Sequence, residues 1–329
     1  DFTMNDKFNL PQGIKSAGTY FAAGMFQNCE GDAFTMNGAF NLPQGIKSAG
    51  SNFAVEMFRG CSGADFTMND AFNLPQNITT EGGFFARYMF YGCSGDAFNM
   101  GDSFNMPQDI KSAGETFVSE MFYGCFGAAF TMNSVFNLPQ GITTADDSFA
   151  REMFYGCSGD AFTMNDVFNL PQGITTADNN FALNMFYGCS GADFTMNDKF
   201  NLPQGIKSAG TYFAAGMFQN CYGAAFNMGN SFNLPQGITT AGENFAQKMF
   251  SGCYGAAFLV NTVFKFPASA SLGASAFWYT FSLGSGAKAQ DRKAASIING
   301  RAAPSSGMYT FGPASAWSDY DDIAANWQG

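Results

Sequence analysis

Histidine is absent from all 329 residues. With it go the commonest general base, the commonest transition-metal ligand and every Ser-His or Cys-His nucleophile pair. Charge is scarce as well: 15 Lys and Arg stand against 26 Asp and Glu, charged residues are only 12% of the chain, and the net charge is −11. With no basic run anywhere, a nucleic-acid partner is not expected, because neutralising phosphates takes clustered cations. No stretch reaches 18 consecutive apolar residues and Asp1 does not open a basic-then-apolar leader, so neither a membrane span nor a signal sequence is expected within these residues. No Cys-x-x-Cys occurs, which with the missing histidine argues against zinc, and no loop carries the alternating acids of a calcium site. No cofactor and no enzymatic activity are expected; any catalytic residues would lie in 267–329, the one part with non-repetitive chemistry.

What is present is a repeat. Cys29, Cys61, Cys93, Cys125, Cys157, Cys189, Cys221 and Cys253 follow one another at intervals of 32, without insertion, and residues 1–29 are identical to 193–221. Such a period is the mark of a solenoid. Counting positions from Asp1, Phe2, Met4, Phe8 and Leu10 alternate with polar residues, which predicts two short strands ending at the Pro11 corner. Position 16 is always Ser or Thr, with Ser112–Glu115 and Thr240–Glu243 as capping boxes. Phe21, Ala22, Met25, Phe26 and Cys29 then form a stripe at helical period, and Gly or Asn at position 28 reads as its stop, so a helix of about three turns is predicted in each unit. The fold class expected is therefore an α/β repeat solenoid of 32-residue units, each short strands plus a helix, curved into an arc because helices are wider than strands. The repeat solenoid is assigned to 1–266, eight full units and the strand half of a ninth, and 267–329 to a divergent C-terminal cap. All three tryptophans, Trp278, Trp317 and Trp327, fall in that cap, with the basic cluster Lys288, Arg292, Lys293 and Arg301, which makes it a candidate assembly region. Asp1 enters directly into a full repeat, so the first coil is expected to be covered by something upstream or by another chain.

The run Asn169–Cys189, NLPQGITTADNNFALNMFYGC, resembles the BspA-type leucine-rich repeats of bacterial surface proteins, here in Phe-rich, longer units. Leu170 and Pro171 match the strand end, Ile174 and Thr175 the Ile-Thr step, and Met185, Phe186, Gly188 and Cys189 the Met-Phe-x-Gly-Cys signature. The resemblance covers about 1–258. It implies a secreted or surface-displayed bacterial protein used in adhesion or recognition, and it supplies no catalytic residues.

Three columns stand out as candidate surfaces or thiol sites. Tyr91, Tyr123, Tyr155 and Tyr187 share position 27 of the four central units, where a side chain should face out. An exposed aromatic stripe marks a contact surface, whereas a half-buried Tyr at a boundary is the plainer reading. Thr3, Thr35, Thr67, Thr131, Thr163 and Thr195, with Asn5 and its equivalents, are expected to form outward rows on the strand face. The Asn9 and Gln12 columns read as amide ladders. The cysteine column reads as stacked buried thiols, with pairing in an oxidising exterior as the alternative. Two functional classes remain: a cell-surface adhesin or recognition scaffold binding a protein or matrix ligand, and a structural subunit that assembles head to tail into an extracellular filament.

Overall fold

The computed structural model describes all residues except 1–3, 31–33, 64–65, 97, 129, 193, 224–225, 256–257, 259, 269, 285–292, 303–308 and 329. Each 32-residue unit makes one coil of a parallel β-solenoid. The regular strands are only two residues long: β1 (Ser16–Ala17), β2 (Ser48–Ala49), β3 (Thr80–Glu81), β4 (Ser112–Ala113), β5 (Thr144–Ala145), β6 (Thr176–Ala177), β7 (Ser208–Ala209) and β8 (Thr240–Ala241). Neighbours pair in parallel one coil apart, Ser16 opposite Ser48 and Thr144 opposite Thr176, except between β3 and β4, where the sheet is interrupted. A second parallel ladder runs through position 30, Glu30–Ser62–Ser94–Phe126 and on to Tyr254, without that break.

The helix predicted between the cap at position 16 and the stop at position 28 is not formed, and the α/β class is corrected to a β-solenoid. The described residues contain one α-helix, α1 (Ala294–Ile298), which lies in the C-terminal region. In place of a helix the backbone alternates. Positions 20, 22 and 24 take left-handed φ angles, as in Ser148 (63°), Ala150 (54°) and Glu152 (53°), with the β-branched Val118 as an exception at position 22, and so does position 28. Alternation turns every second N–H group out of the coil, toward one neighbouring coil or the other. Gly24, Phe26 and Asn28 donate to Val55, Met57 and Arg59 carbonyls at 2.7–2.8 Å, while Ala54 donates back to Phe21 at 2.9 Å. Short turns such as Gln27 N–H to the Gly24 carbonyl (3.1 Å) complete each coil. The apolar stripe at 21, 22, 25, 26 and 29 is real, but it faces the core from a ridge of turns stitched across coils. The Ser and Thr of position 16 are accordingly strand residues and not helix caps, and the segment Phe8–Leu10 is outside the regular strands. The curvature expected from helix width loses its premise.

Side chains of one column stack on themselves through the core. The position-26 rings, Phe58, Phe90, Phe122, Phe154 and Phe186, lie 5.2–5.3 Å apart and parallel within 6°. Each also meets a position-8 ring edge-on, Phe122 on Phe136 at 5.6 Å and 87°. Parallel-offset and T-shaped contacts are the two favoured aromatic geometries, each adding about 0.5–1.5 kcal/mol beyond burial. Close coil spacing also sets the glycine column at position 31: a Cβ on Gly95 would collide with the Gly63 carbonyl.

The ladder continues past the last full repeat. β9 (Ser271–Leu272) pairs with β8 one residue early, Thr240 opposite Ser271, and the left-handed positions recur at Ser275, Phe277 and Tyr279. A further rung follows in which β10 (Phe281–Ser282) pairs with β11 (Phe311–Gly312). Trp317 closes the core edge-on to Phe281 and Phe311 at 5.4 and 4.9 Å, and Trp327 lies 5.8 Å from Phe266. Asp319 accepts from the Ala294 and Ala295 N–H groups at the start of α1, and Arg301 donates to the Pro267 and Ala270 carbonyls.

Candidate functional site

The Tyr column lies on the ridge, outside the Phe core, half-buried. Tyr91, Tyr123, Tyr155 and Tyr187 stack on one another at 4.7, 4.6 and 4.6 Å, parallel within 8°. One end meets Arg59, whose guanidinium sits 5.4 Å from the Tyr91 ring centre; at the other, Asn220 donates to the Tyr187 hydroxyl at 2.8 Å. Because the rings cover each other's faces, a partner meets ring edges and hydroxyls. Burial pushes the Tyr155 phenol up to about 12, with the neighbouring Tyr187 and Tyr123 adding to it, and burial raises Tyr123 likewise. Both phenols are neutral donors at physiological pH.

Charged groups flank this column. Arg87 lies 4.3 Å over the Tyr88 ring, donates to the Tyr88 hydroxyl at 2.6 Å and approaches Glu120 at 3.7 Å. Arg59–Glu56 (2.9 Å) and Arg151–Glu152 (3.2 Å) pair on the same ridge. Burial, then the charge of Glu152, raises Glu120 above the usual carboxylate range.

Thr3 lies outside the described residues. Thr67, Thr131, Thr163 and Thr195 are half-buried and Thr35 is exposed. The Asn5 equivalents do not share an outward face with them: Asn37, Asn197 and Asn261 are buried, and each donates to carbonyls of the preceding coil, Asn197 to Asn165 and Phe168 at 2.7 and 2.9 Å. The reason is satisfaction of buried backbone, since an orphaned carbonyl there would cost about 1–3 kcal/mol. Gln12-type amides bond within their own coil and across it, Gln44 reaching Asn41 Oδ1, the Leu42 carbonyl and the Asn73 carbonyl.

All eight cysteines are free thiols; Cys61 through Cys253 are buried and Cys29 is half-buried. Each buried thiol donates to a Phe carbonyl of the preceding coil, Cys157 to Phe122 at 2.9 Å. Burial pushes these thiols up, Cys29 to about 11, so thiolate chemistry is suppressed. Trp317 and Trp327 are buried against the last coils, whereas Trp278 is half-buried on the ridge beneath Lys248 at 5.7 Å.

One site was not singled out from sequence. Glu81 occupies a column that is Ala in the seven other repeats. Its Oε1 takes the Gly114 N–H at 2.6 Å, a bond that Gly82 and Gly210 instead give to the carbonyl of the Ala one coil back. Glu81 thereby splits the sheet between β3 and β4 and opens a cleft also lined by Lys111, Glu115 and Asp146. Its Oε2 is buried without a partner, and burial, then Asp146, pushes the carboxyl to about 7. The one-residue exception in an otherwise uniform column was the available signal.

The two faces of identical sequence differ sharply. Phe8 is 43% exposed, whereas its counterpart Phe200, with the same neighbours in sequence, is fully covered by the preceding coil. Among the described residues no group of three or more Cys, Asp or Glu side chains is placed to hold a metal ion, and no helix is long and apolar enough to cross a membrane.

No protein-family model and no curated protein matches the chain. A solved structure from Bacteroides ovatus ATCC 8483, described as a leucine-rich repeat protein, is similar with a TM-score of 0.26 and 16% identity, over 84% of this chain and 73% of that one.

Proposed function

We propose that this chain is a recognition scaffold, a leucine-rich-repeat-like solenoid displayed outside a bacterial cell that binds a protein or matrix ligand through its ridge. The observation that supports it is where the repeats differ. Core columns are nearly uniform from coil to coil, but position 23 runs Val55, Arg87, Ser119, Arg151, Leu183 and position 24 runs Glu56, Tyr88, Glu120, Glu152, Asn184. These columns flank the Tyr stack. Positions 7, 19, 20 and 30 vary as well, but the strip beside the Tyr stack is the one rich in both Tyr and Arg, residues that dominate binding hot spots. Side chains held by a rigid ladder lose little entropy on binding. Localisation at the cell surface follows from the sequence resemblance.

The test is solid-phase binding to a panel of immobilised extracellular-matrix proteins. The wild-type chain binds at least one, and changing Tyr91, Tyr123, Tyr155 and Tyr187 together to Ser lowers that affinity at least tenfold while the circular dichroism spectrum is retained. Absence of binding across the panel, or a tetra-substituted chain that binds equally well, refutes the reading.

Head-to-tail assembly is the second reading, and it rests on residues 1–29 repeating 193–221, a coil sequence that accepts a neighbouring coil on both faces. The last coils are covered by the chain's own Trp317 and Trp327, so the partner surface would be the outside of the C-terminal region. A sedimentation coefficient independent of concentration into the high micromolar range removes this reading.

A further inference from the structure

Eight of the twelve tyrosines stack face to face on another tyrosine in a neighbouring coil. Besides the four-membered ladder, Tyr222 and Tyr254 lie 5.2 Å apart at 3°, and Tyr279 and Tyr309 lie 5.6 Å apart at 14°. The fully buried rings are Phe, which has no hydroxyl; the stacks in which both rings reach solvent are Tyr, whereas the exposed Phe8 and half-buried Phe21 each stack on a buried Phe. Solvent and a small oxidant therefore reach phenols that are already aligned with a coupling partner.

We infer that these tyrosine stacks are sites of oxidative cross-linking, in which adjacent coils become joined by ring-to-ring carbon–carbon bonds. The co-reactant is hydrogen peroxide delivered through a heme peroxidase. Each of two phenols gives up one electron and its hydroxyl proton, leaving a pair of phenoxyl radicals. A bond then forms between ring carbons ortho to the two oxygens, and the hydrogens on those carbons move to the oxygens as aromaticity returns. Two electrons and two protons leave the protein, and they reduce one peroxide to two waters. Parallel rings in register 4.6 Å apart need only small rotations to bring ortho carbons into contact, so coupling is intramolecular and outruns encounters between chains. Each bond closes a loop of about one coil, which stabilises the stack by restricting the unfolded chain in the manner of a disulfide. In the ladder, Tyr91 through Tyr187, three junctions are available, joining coils 3 to 6.

The experiment treats the dilute full chain with a heme peroxidase and hydrogen peroxide, then maps linked peptides by mass spectrometry and dityrosine fluorescence. The expected products join Tyr91 to Tyr123, Tyr123 to Tyr155 or Tyr155 to Tyr187, two hydrogens lighter than the separate peptides, in protein that remains monomeric. A double variant, Tyr123→Phe with Tyr187→Phe, keeps every ring in place but leaves Tyr91 and Tyr155 without a phenol stacked on them from a neighbouring coil; Tyr91 retains only the edge-on Tyr88 of its own coil, at 5.5 Å and 78°. Its ladder products fall at least tenfold, while coupling of Tyr222 to Tyr254 persists and shows that oxidant and fold are intact. Three results overturn the inference: products that join different chains through the unstacked, exposed Tyr20 and Tyr212 alone, ladder yields unchanged in the Phe variant, or equal yields from protein unfolded in urea.

Discussion

Lys248 sits at position 24 of the eighth coil with φ of 53°, where an L-residue pays about 1–2 kcal/mol relative to its right-handed conformation. Glycine carries no such cost, although it has more freedom to lose from the unfolded chain, about 0.4–1 kcal/mol. Lys248→Gly should therefore be more stable than Lys248→Ala by about 0.5–1 kcal/mol. The Ala reference matters, because both changes also remove the ammonium lying 5.7 Å over Trp278. Had the segment from the position-16 cap to position 28 been helical, as the apolar stripe suggests, the same comparison would go the other way by about 1 kcal/mol. The two geometries thus differ by nearly 2 kcal/mol with opposite sign. Glu56 and Glu152 occupy the same position at 57° and 53°. Neighbouring sites among the three are three coils apart, roughly 14 Å at a strand spacing of about 4.8 Å, so their effects should add. Urea unfolding of the triple Gly and triple Ala chains should separate them by about 1.5–3 kcal/mol in favour of Gly. The repeats already carry glycine there at Gly24 and Gly216. A triple Gly chain less stable than its Ala counterpart would refute the alternating-ridge geometry.

The Glu81 carboxyl, held near 7 against an ordinary 4.5, keeps its proton longer in the folded chain than in the unfolded one, so its contribution to stability is greatest below about 4.5 and is lost as pH rises through 7. Glu81→Ala should accordingly be stabilising by up to about 3 kcal/mol at pH 8 and by much less at pH 4; a difference that is flat across urea titrations at the two values would refute this. Of the eight thiols, Cys29 alone should react with a disulfide reagent in native buffer, slowly given its pKa of about 11, and the other seven only on unfolding. Adding a copy of residues 161–192 ahead of Asp1 recreates the 192–193 junction, because 1–29 repeats 193–221. Cys29 should then become as unreactive as Cys221, and continued reactivity would show that coil 1 does not accept such a neighbour.

Much of this molecule follows from its sequence alone. An uninterrupted period of 32 requires one coil per unit in one register, since a side chain can stack on its own copy only if every coil has the same length. The inward columns, Phe26, Met25, Ile14 and Cys29 with their equivalents, were legible as apolar positions, and position 28 as left-handed, because Gly and Asn tolerate that conformation. The Tyr column was visible too, as an aromatic in every central unit just outside the core.

Tertiary structure decided which hydrogen bonds the ridge makes. An apolar pattern at 21, 22, 25, 26 and 29 reports which side chains point inward, and a helix and an alternating chain of turns point the same ones inward. They differ only in whether N–H groups bond within the segment or to the next coil. That choice belongs to the stack, since each coil offers its neighbour a complete row of carbonyls that no isolated repeat possesses, as Val55, Met57 and Arg59 do for Gly24, Phe26 and Asn28. The break at Glu81 has the same origin: a single carboxylate in an Ala column looks harmless in one dimension, and becomes a wedge only when the coil on the other side must offer Gly114 to it.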